Sequence, residues 1–422
     1  MSYFLYNLIG ILFRLGLKPF YEVIIRGMEN YSESPSSLIV ANHKRDLDSI
    51  LVATVFFYSE GFFSPGHPIS FMAAENLFQP GFLANWIRRP KVLKKIIRPL
   101  SIGTVLKTLN AYPIGKLNFR SVPLYDALGI IKEKNGDRKL EDIIQEEKLN
   151  KILNGPLNLE ENPTISDFFE SEGYPRKRIN SSVFKKKYRK VVKENKLGSV
   201  KGQLERFIQL MDQGEILYIT PEGKLSSDGL LGPLKDSLHI LLEEPEEEVT
   251  VVPTNITYDF MTSGKPTINI NIGEEMNDLD NLERKERSKI IREAILSLTT
   301  VTFSQLGSRQ LVGALESDRT ELKREEIYRG TRECWESIAK NDLSMDKHLE
   351  EKYSFDHRFD NFIDFCIERG ILIEQSKERF YIDPELGFRE EEVNRGYRKN
   401  PVEYTANELQ ALETIDLVSL PR

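Results

Sequence analysis

The chain has 422 residues, with 58 Lys and Arg against 65 Asp and Glu, a net charge of −7, and 40% hydrophobic residues. This length indicates two domains, and the composition excludes a globally disordered chain. Two cysteines, Cys334 and Cys366, are too few for a disulfide framework, so we expect a reducing compartment. The acidic balance argues against a nucleic-acid partner.

The N-terminal segment is the most apolar part of the chain, yet no uncharged stretch reaches the roughly 18 residues that a transmembrane helix needs. As a helix, the segment aligns apolar side chains on one face, at Phe4, Leu8, Ile11, Leu12 and Leu15. Two interpretations are open. The face lies in a membrane interface with Arg14 and Lys18 near the headgroups, or it covers the core.

From residue 38 to 273, short apolar strands alternate with helical patterns, which predicts an α/β fold. The predicted strands are Leu38–Ala41, Ile69–Ala73, Leu109–Ile114, Glu215–Thr220, Val249–Thr257 and Thr267–Ile272. The predicted helices include Leu47–Tyr58, Val92–Ile97, Leu204–Asp212, Leu234–Leu242 and Leu282–Leu298. The period-two alternation of Thr267–Ile272 favours an edge strand with one face in water.

Residues 121–198 are polar and highly charged, and we predict a helical insertion, because long structureless loops are uncommon in compact domains. The second part, Arg176–Lys196, is strongly basic. Such a run is either a solvated face or a site for a phosphate-rich membrane or an acidic carrier. After residue 306 the pattern is helical and charged. It predicts one long helix over Glu316–Glu336. It also predicts a helix, turn and strand over Phe362–Ile373 and Arg379–Ile382, an order that resembles a winged helix.

One histidine has a context that indicates chemistry. His43 follows a predicted strand, precedes an apolar helix and has Asp48 five residues later. Side chains at this position project from the carboxyl edge of a sheet into a crevice. An aspartate bonded to one imidazole nitrogen fixes the tautomer and leaves the other nitrogen as a general base. The alternative is that both residues only cap the helix. His239 and Glu244 have the same spacing in an ordinary helical context.

Three further short motifs follow in order, namely Tyr112-Pro-Ile-Gly-Lys116, Pro221-Glu222-Gly223 and Val252-Pro253. With Asn42-His43-x4-Asp48 they resemble the blocks of the phospholipid/glycerol acyltransferase family, typified by lysophosphatidate acyltransferases. The resemblance covers residues 30–275. It implies a mixed sheet flanked by helices, and transfer of a fatty acyl group from acyl-CoA or acyl carrier protein to a hydroxyl of lysophosphatidate or glycerol 3-phosphate. It implies no metal and no cofactor beyond this acyl donor.

The resemblance also implies roles for particular residues. His43 is the general base and Asp48 orients it, while a set of nearby residues binds substrate: Asn42, Lys44, Arg45, Lys116, Pro221, Glu222, Gly223, Lys224 and Ser226. One departure concerns the acceptor, since Leu225 stands where the family has an arginine. Two alternatives therefore stay open. One is an acyltransferase for a non-phosphorylated or other lipid acceptor, and the other is a non-catalytic lipid-binding or scaffold protein.

The expected organisation has three parts: a membrane-interface helix over 1–30, an acyltransferase domain over 31–305 that contains the 121–198 insertion, and a mainly helical accessory domain over 306–422. The last part loosely resembles the accessory region of larger glycerol-3-phosphate acyltransferases. The segment Trp86–Arg98 mixes apolar residues with cations and suits an anionic bilayer. We expect a peripheral (monotopic) protein on the cytoplasmic face of a membrane. Its expected partners are the lipid bilayer, the acyl donor and a small glycerolipid acceptor.

Overall fold

A computed structural model describes residues 3–59, 61, 65–78, 103–115, 122–153, 163–170, 178–341, 343–350, 352–384 and 401–418. The predicted helix Val92–Ile97 and the basic segment Trp86–Arg98 lie outside these residues, as does Lys116. None of the helices within the described residues is both long enough and apolar enough to cross a bilayer.

Strands and helices alternate along the first two thirds of the chain. The strands are β1 Glu22–Arg26, β2 Ser37–Ala41, β3 Ser70–Ala74, β4 Ala111–Ile114, β5 Val122–Pro123, β6 Arg178–Ile179, β7 Leu217–Ile219, β8 Thr250–Asp259, β9 Thr267–Ile272, β10 Glu321–Lys323, β11 Leu372–Ser376 and β12 Arg379–Ile382. The helices are α1 Tyr3–Leu17, α2 Asp48–Phe57, α3 Gly103–Thr108, α4 Leu124–Asn135, α5 Leu140–Ile143, α6 Glu146–Leu153, α7 Ile165–Glu170, α8 Lys186–Asp212, α9 Asp236–Glu243, α10 Arg284–Ser297, α11 Phe303–Glu316, α12 Arg324–Ile338, α13 Lys347–Glu350, α14 Lys352–Glu368 and α15 Pro401–Glu413.

A seven-stranded mixed sheet in the order β1-β9-β8-β2-β7-β3-β4 forms the centre of the fold. Strand β2 is parallel to its neighbours β8 and β7, and β7 is parallel to β3. All five residues of β2 are buried, as expected for a strand covered on both faces. The predicted α/β fold, a mixed sheet flanked by helices, is confirmed. The three parallel strands β2, β7 and β8 bring their carboxyl ends to one edge.

The prediction of an edge strand over Thr267–Ile272 is wrong, because β1 pairs with β9 in parallel and covers its outer side. The alternating asparagines that looked solvated are buried and bonded. Asn269 Nδ2 donates to Asp346 at 3.1 Å, and Asn271 Nδ2 donates to the Leu298 carbonyl at 2.6 Å. Polar alternation in this strand therefore reflects internal hydrogen bonding rather than contact with water.

The chain forms two compact units, which are described separately. The first contains the described residues of 1–72, 103–112 and 207–422, and the second those of 73–102 and 113–206. The second unit holds the predicted insertion, which is helical, and has an apolar core of its own that includes Leu128, Ile143, Phe168 and Phe184. The C-terminal residues belong to the same unit as most of the sheet, and the three-part division stays a prediction.

The C-terminal region is mainly helical but carries a small sheet in the order β10-β12-β11. The prediction of one long helix over Glu316–Glu336 is wrong, since Asp318 adopts a positive φ of 55° after α11. The next residues form β10, which pairs antiparallel with β12. A tertiary strand pairing here overrides a helical charge pattern, because local propensity is only a weak prior.

The N-terminal helix α1 packs through the buried residues Tyr6 and Gly10. A Cβ atom added at Gly10 would lie only 3.1 Å from the Tyr58 hydroxyl, so the helix approaches Tyr58 closely here. Its apolar face points away from this contact. Exposed fractions are 73% for Phe4, 60% for Leu12 and 54% for Leu15. In this structure most of the predicted face is therefore exposed, while Ile11 is half-buried.

Candidate active site

A buried carboxylate organises the loop that follows β2. Asp48, the first residue of α2, is fully buried, and its Oδ2 accepts hydrogen bonds from the backbone N–H groups of Lys44 at 2.6 Å and Arg45 at 2.8 Å. The same oxygen lies 3.1 Å from Nδ1 of His43. Asp48 therefore folds the loop back onto itself and fixes the histidine. It does more than cap a helix, the simpler alternative from the sequence.

These contacts determine the tautomer of His43. An ionised carboxylate only accepts hydrogen bonds, so Nδ1 carries the proton that faces Asp48. In the neutral ring Nε2 is then unprotonated and carries a lone pair. No described residue hydrogen-bonds Nε2, and 18% of the side chain is exposed. His43 can thus accept a proton from a molecule that reaches this face.

Tyr258 hydrogen-bonds the other oxygen of Asp48, and no sequence motif marks this residue. Strand β8 pairs with β2 only as far as Thr254 opposite Ala41, and then continues to Asp259. This overhang brings the Tyr258 hydroxyl to 2.5 Å from Oδ1 of Asp48. Burial, and then the charge of Asp48, raise the pKa of Tyr258 well above its usual range. The phenol therefore stays protonated and donates.

Asn42 and Glu222 anchor the loop on both sides. The Asn42 amide exchanges hydrogen bonds with the backbone of Ile256 in β8, at 3.1 Å and 2.8 Å. Glu222 is 1% exposed and accepts from the backbone N–H of His43 at 3.1 Å and of Gly232 at 2.7 Å. Burial raises the pKa of Glu222, while these N–H donors oppose the shift. Both residues hold backbone, and their predicted role in substrate binding stays a prediction.

The loop after β7 is closed by its own hydrogen bonds. Gly223 has a φ of +61°, in the left-handed region that favours glycine. Ser226 N–H donates to the His43 carbonyl at 2.7 Å, and its hydroxyl donates to the Leu230 carbonyl at 3.0 Å. The neighbouring Pro221 is buried and Lys224 is exposed. The two sequence motifs, far apart in the chain, contact each other directly through the His43 N–H and Glu222, and Ser226 adds a second bond just after the motif.

The cations among the predicted substrate-binding residues are not equivalent in the structure. Lys44 is 7% exposed and forms an ion pair with Glu408 of α15. Arg45 stacks its guanidinium over the rings of Tyr258 at 4.7 Å and Phe260 at 5.3 Å. Lys224 is solvent-exposed. The Lys44 ammonium is therefore engaged within the protein, and the predicted roles of these cations in substrate binding stay predictions.

The fourth motif, Val252-Pro253, lies inside β8. Val252 and Pro253 are paired with Ile39 and Val40 of β2. The motif therefore contributes to the sheet that carries the site. It adds no side chain to the site.

Other nucleophiles and metal-ligand clusters do not accompany His43 in the described part of the chain. Burial raises the pKa of the Cys334 thiol to about 12 and also raises that of Cys366, so neither forms a thiolate at neutral pH. Both lie in the core of the C-terminal helices. No group of three or more His, Cys, Asp or Glu among the described residues is arranged to hold a metal ion.

His239 belongs to a separate, structural cluster. Its Nε2 lies 3.0 Å from the Ser288 hydroxyl, and its Nδ1 lies 3.5 Å from a guanidinium nitrogen of Arg287. Because guanidinium only donates, Nδ1 accepts and Nε2 carries the proton, so the ring cannot act as a base toward Ser288. Arg287 is 1% exposed and donates to the carbonyls of Leu279 and Leu282 and to Glu243.

Comparison with known proteins finds distant similarity among solved structures only. No protein-family model matches the sequence, and no curated protein matches it. Among solved structures, the crystal structure of the 1-acyl-sn-glycerophosphate (LPA) acyltransferase PlsC from Thermotoga maritima is similar. The identity is 14%, the match covers 69% of this chain and 75% of that chain, and the TM-score is 0.34. A likeness at this level carries no argument about the site.

The ion pairs of Glu243 with Arg284 and Arg287 predict how the stability of the fold depends on pH. Hydrogen bonds from Arg284, and then from Arg287, lower the pKa of Glu243 from 4.5 to about 2. A carboxylate with a depressed pKa stabilises the fold above its unfolded-state pKa, and this contribution is lost as pH falls from 4.5 to about 2. Allowing for solvent screening, Glu243→Gln should cost about 1 kcal/mol of unfolding free energy at pH 7 and less below pH 4.

Urea unfolding of both proteins between pH 3 and pH 7 measures this difference. Glu244→Gln, at the exposed neighbouring position, is the matched control and should have little effect. A Glu243→Gln cost that stays constant down to pH 3 would contradict the ion-pair account.

Proposed function

We propose that this protein is an O-acyltransferase that transfers a fatty acyl group from a thioester, acyl-CoA or acyl carrier protein, to a hydroxyl of a glycerolipid. The observation that carries the proposal is the His43 imidazole, whose Nδ1 is bonded to buried Asp48 while no described residue hydrogen-bonds Nε2 and 18% of the side chain is exposed. The sequence motifs 42–48 and 221–223 resemble those of glycerolipid acyltransferases, and in the fold they are in direct contact. Lysophosphatidate or glycerol 3-phosphate is the proposed acceptor.

The proposed reaction needs one base and correct positioning. Nε2 of His43 takes the hydroxyl proton as the acceptor oxygen attacks the thioester carbonyl, and the developing imidazolium is stabilised by Asp48. The tetrahedral intermediate collapses, the C–S bond breaks, and the thiolate leaves. The proton passes from Nε2 to this thiolate, whose thiol has a pKa of about 8.5. An ester and a free thiol are the products.

Direct transfer is favoured over a covalent acyl-enzyme. Both cysteines are buried in the C-terminal core, and burial raises their pKa values. The Ser226 hydroxyl donates to the Leu230 carbonyl and accepts from the Gly229 N–H, which commits it to the loop. A ternary complex of donor and acceptor therefore accounts for the chemistry by proximity.

One contact favours a second acceptor class. Because Lys44 is paired with Glu408, it is not free to neutralise an acceptor phosphate, and Leu225 replaces the family's arginine. A lipid acceptor without a phosphate is thus the second candidate. Comparing lysophosphatidate and glycerol 3-phosphate with monoacylglycerol separates the two, since equal rates with and without phosphate favour the second.

We also propose that α1 attaches the protein to a membrane from the cytoplasmic side. Phe4, Leu12 and Leu15 are more than half exposed, and Lys18 follows them at the helix end. Apolar side chains of an amphipathic helix can enter the boundary between headgroups and acyl chains, while basic residues contact anionic lipid. This attachment would give an enzyme of this kind access to amphiphilic substrates.

The activity prediction concerns His43. With palmitoyl-CoA as donor and the three acceptors above, the protein should release free thiol in an acceptor-dependent reaction. His43→Ala removes the general base and should lower the rate by about 10²- to 10⁴-fold. Thiol release followed by a chromogenic disulfide reagent measures the rate.

His67→Ala is the matched control, since His67 is 82% exposed and bonded to Glu33 away from Asp48. It should retain the wild-type rate. Full turnover in His43→Ala contradicts the mechanism. Vesicle binding without thiol release, for every donor and acceptor, supports the lipid-binding or scaffold alternative instead.

The membrane prediction concerns the exposed face of α1. The double variant Leu8→Asp with Leu12→Asp should weaken binding to vesicles of phosphatidylcholine and phosphatidylglycerol by roughly 100-fold, because apolar burial is lost and charges enter the interface. Co-sedimentation measures binding. Ile373→Asp, at a 50% exposed apolar position of β11, is the control and should bind like wild type. Equal binding by the double variant rules out this helix as the attachment.

A further inference from the structure

The last helix of the described chain contacts the loop that carries His43. Glu408 of α15 forms an ion pair through Oε1 with the Lys44 ammonium, and its Oε2 accepts from Gln305 Nε2 at 3.0 Å. The side chains of Lys44 and Glu408 are 7% and 3% exposed. The two residues are 364 positions apart in the chain. A buried pair of this kind is costly to break, because removing one partner leaves an uncompensated charge.

Helix α15 also contacts the loop after β7. Asn407 Nδ2 donates to the Asp228 carbonyl at 2.9 Å. The backbone of Gly229 lies against α15, and a Cβ atom added at Gly229 would lie 2.0 Å from the Tyr404 carbonyl oxygen. The Thr405 hydroxyl donates to the Ser308 hydroxyl of α11 at 2.7 Å. The helix is therefore fixed to both loops that surround His43 and to the helix beneath it.

Lys44 is held through both its backbone and its side chain. Its N–H donates to Asp48 at 2.6 Å, and its side chain is held by Glu408. The preceding residue, His43, donates its own N–H to Glu222 at 3.1 Å. Any displacement of Lys44 would therefore shift the peptide between His43 and Asp48 and with it the imidazole. A buried charge pair fixes this position more strictly than an apolar contact would, because its geometry is directional.

We propose that Glu408 is a positioning residue for His43, acting through Lys44, and that α15 is thereby part of the active site. The proposal rests on the proposed acyltransferase function for its kinetic readout. A different interpretation is that Lys44 binds the phosphate of the acceptor. In that case the Glu408 carboxylate would compete with the phosphate for the Lys44 ammonium. The two interpretations predict opposite effects of neutralising Glu408.

Kinetics of Glu408→Gln, an isosteric change, test the proposal. Loss of the charge should displace the loop and lower kcat by about 10- to 100-fold, as expected for a small misplacement of a catalytic group. The acceptor KM should change less than about twofold, because Glu408 does not contact substrate in this account. Glu403→Gln, an exposed glutamate on the same helix, is the matched control and should leave kcat unchanged.

A paired variant separates positioning from simple loss of folding. Lys44→Met with Glu408→Met replaces the ion pair by an apolar contact of similar volume, which proteins often tolerate. This double variant should melt near the wild-type temperature but keep a lowered kcat, because an apolar contact lacks the directional geometry that positions Lys44. Wild-type kcat in the double variant contradicts the proposal. Unchanged kcat in Glu408→Gln overturns the proposal. A lower KM for lysophosphatidate in Glu408→Gln also overturns it, since that result indicates a competing anion.

A readout that needs no activity distinguishes this proposal from the proposed function. Diethyl pyrocarbonate modifies unprotonated imidazole, and mass spectrometry of the full-length protein's peptides reports His43 alone. Modification of His43 should be faster in Glu408→Gln than in wild type, and unchanged in Glu403→Gln. If wild type shows no acyltransferase activity but His43 is still modified faster in Glu408→Gln, the proposed function is wrong and the positioning role of Glu408 is supported. Equal His43 modification rates in Glu408→Gln and wild type mean that the positioning fails.

Discussion

The carboxylate of Asp48 is the interaction on which the rest of the site depends. It is fully buried and receives hydrogen bonds from two backbone N–H groups, one imidazole and one phenol. A buried carboxylate without partners would cost several kcal/mol in desolvation, so this arrangement is stable only while its donors are in place. The same bonds that offset this cost fix the loop and the tautomer of His43. Stability and chemistry here have one physical origin.

The sheet brings these donors together. Strands β2, β7 and β8 are parallel neighbours, so their carboxyl ends meet at one edge. His43 follows the first, Glu222 follows the second, and Tyr258 lies on the overhang of the third. Helix α15 adds Glu408 from the far end of the sequence. Several charged or polar groups are thus buried in one region, and each has a partner that the fold supplies.

Local sequence patterns predicted the parts of this arrangement that are local. The His43 and Asp48 spacing places both on one turn after a strand, and the strand–helix order identified the α/β sheet. Tyr258 and Glu408 were not found, because they lie 210 and 364 residues from their partners and no short motif marks them. The same limit explains the error on β9. The asparagines of β9 hydrogen-bond Asp346 and the Leu298 carbonyl inside the protein, and β1 pairs with the outer edge of β9. Periodicity reports polarity along a strand but not what lies opposite.

Asp48 holds His43 as the Nδ1-protonated tautomer with an unprotonated Nε2, and the proposed chemistry depends on this tautomer. Nitrogen-15 NMR of imidazole-labelled protein tests it most directly, because protonated and unprotonated ring nitrogens resonate far apart. The His43 signals are assigned by their loss in His43→Gln, and the spectrum is recorded at mildly alkaline pH, where a free imidazole is neutral. The account predicts a protonated Nδ1 and an unprotonated Nε2. A protonated Nε2, or rapid exchange between both tautomers, would contradict it.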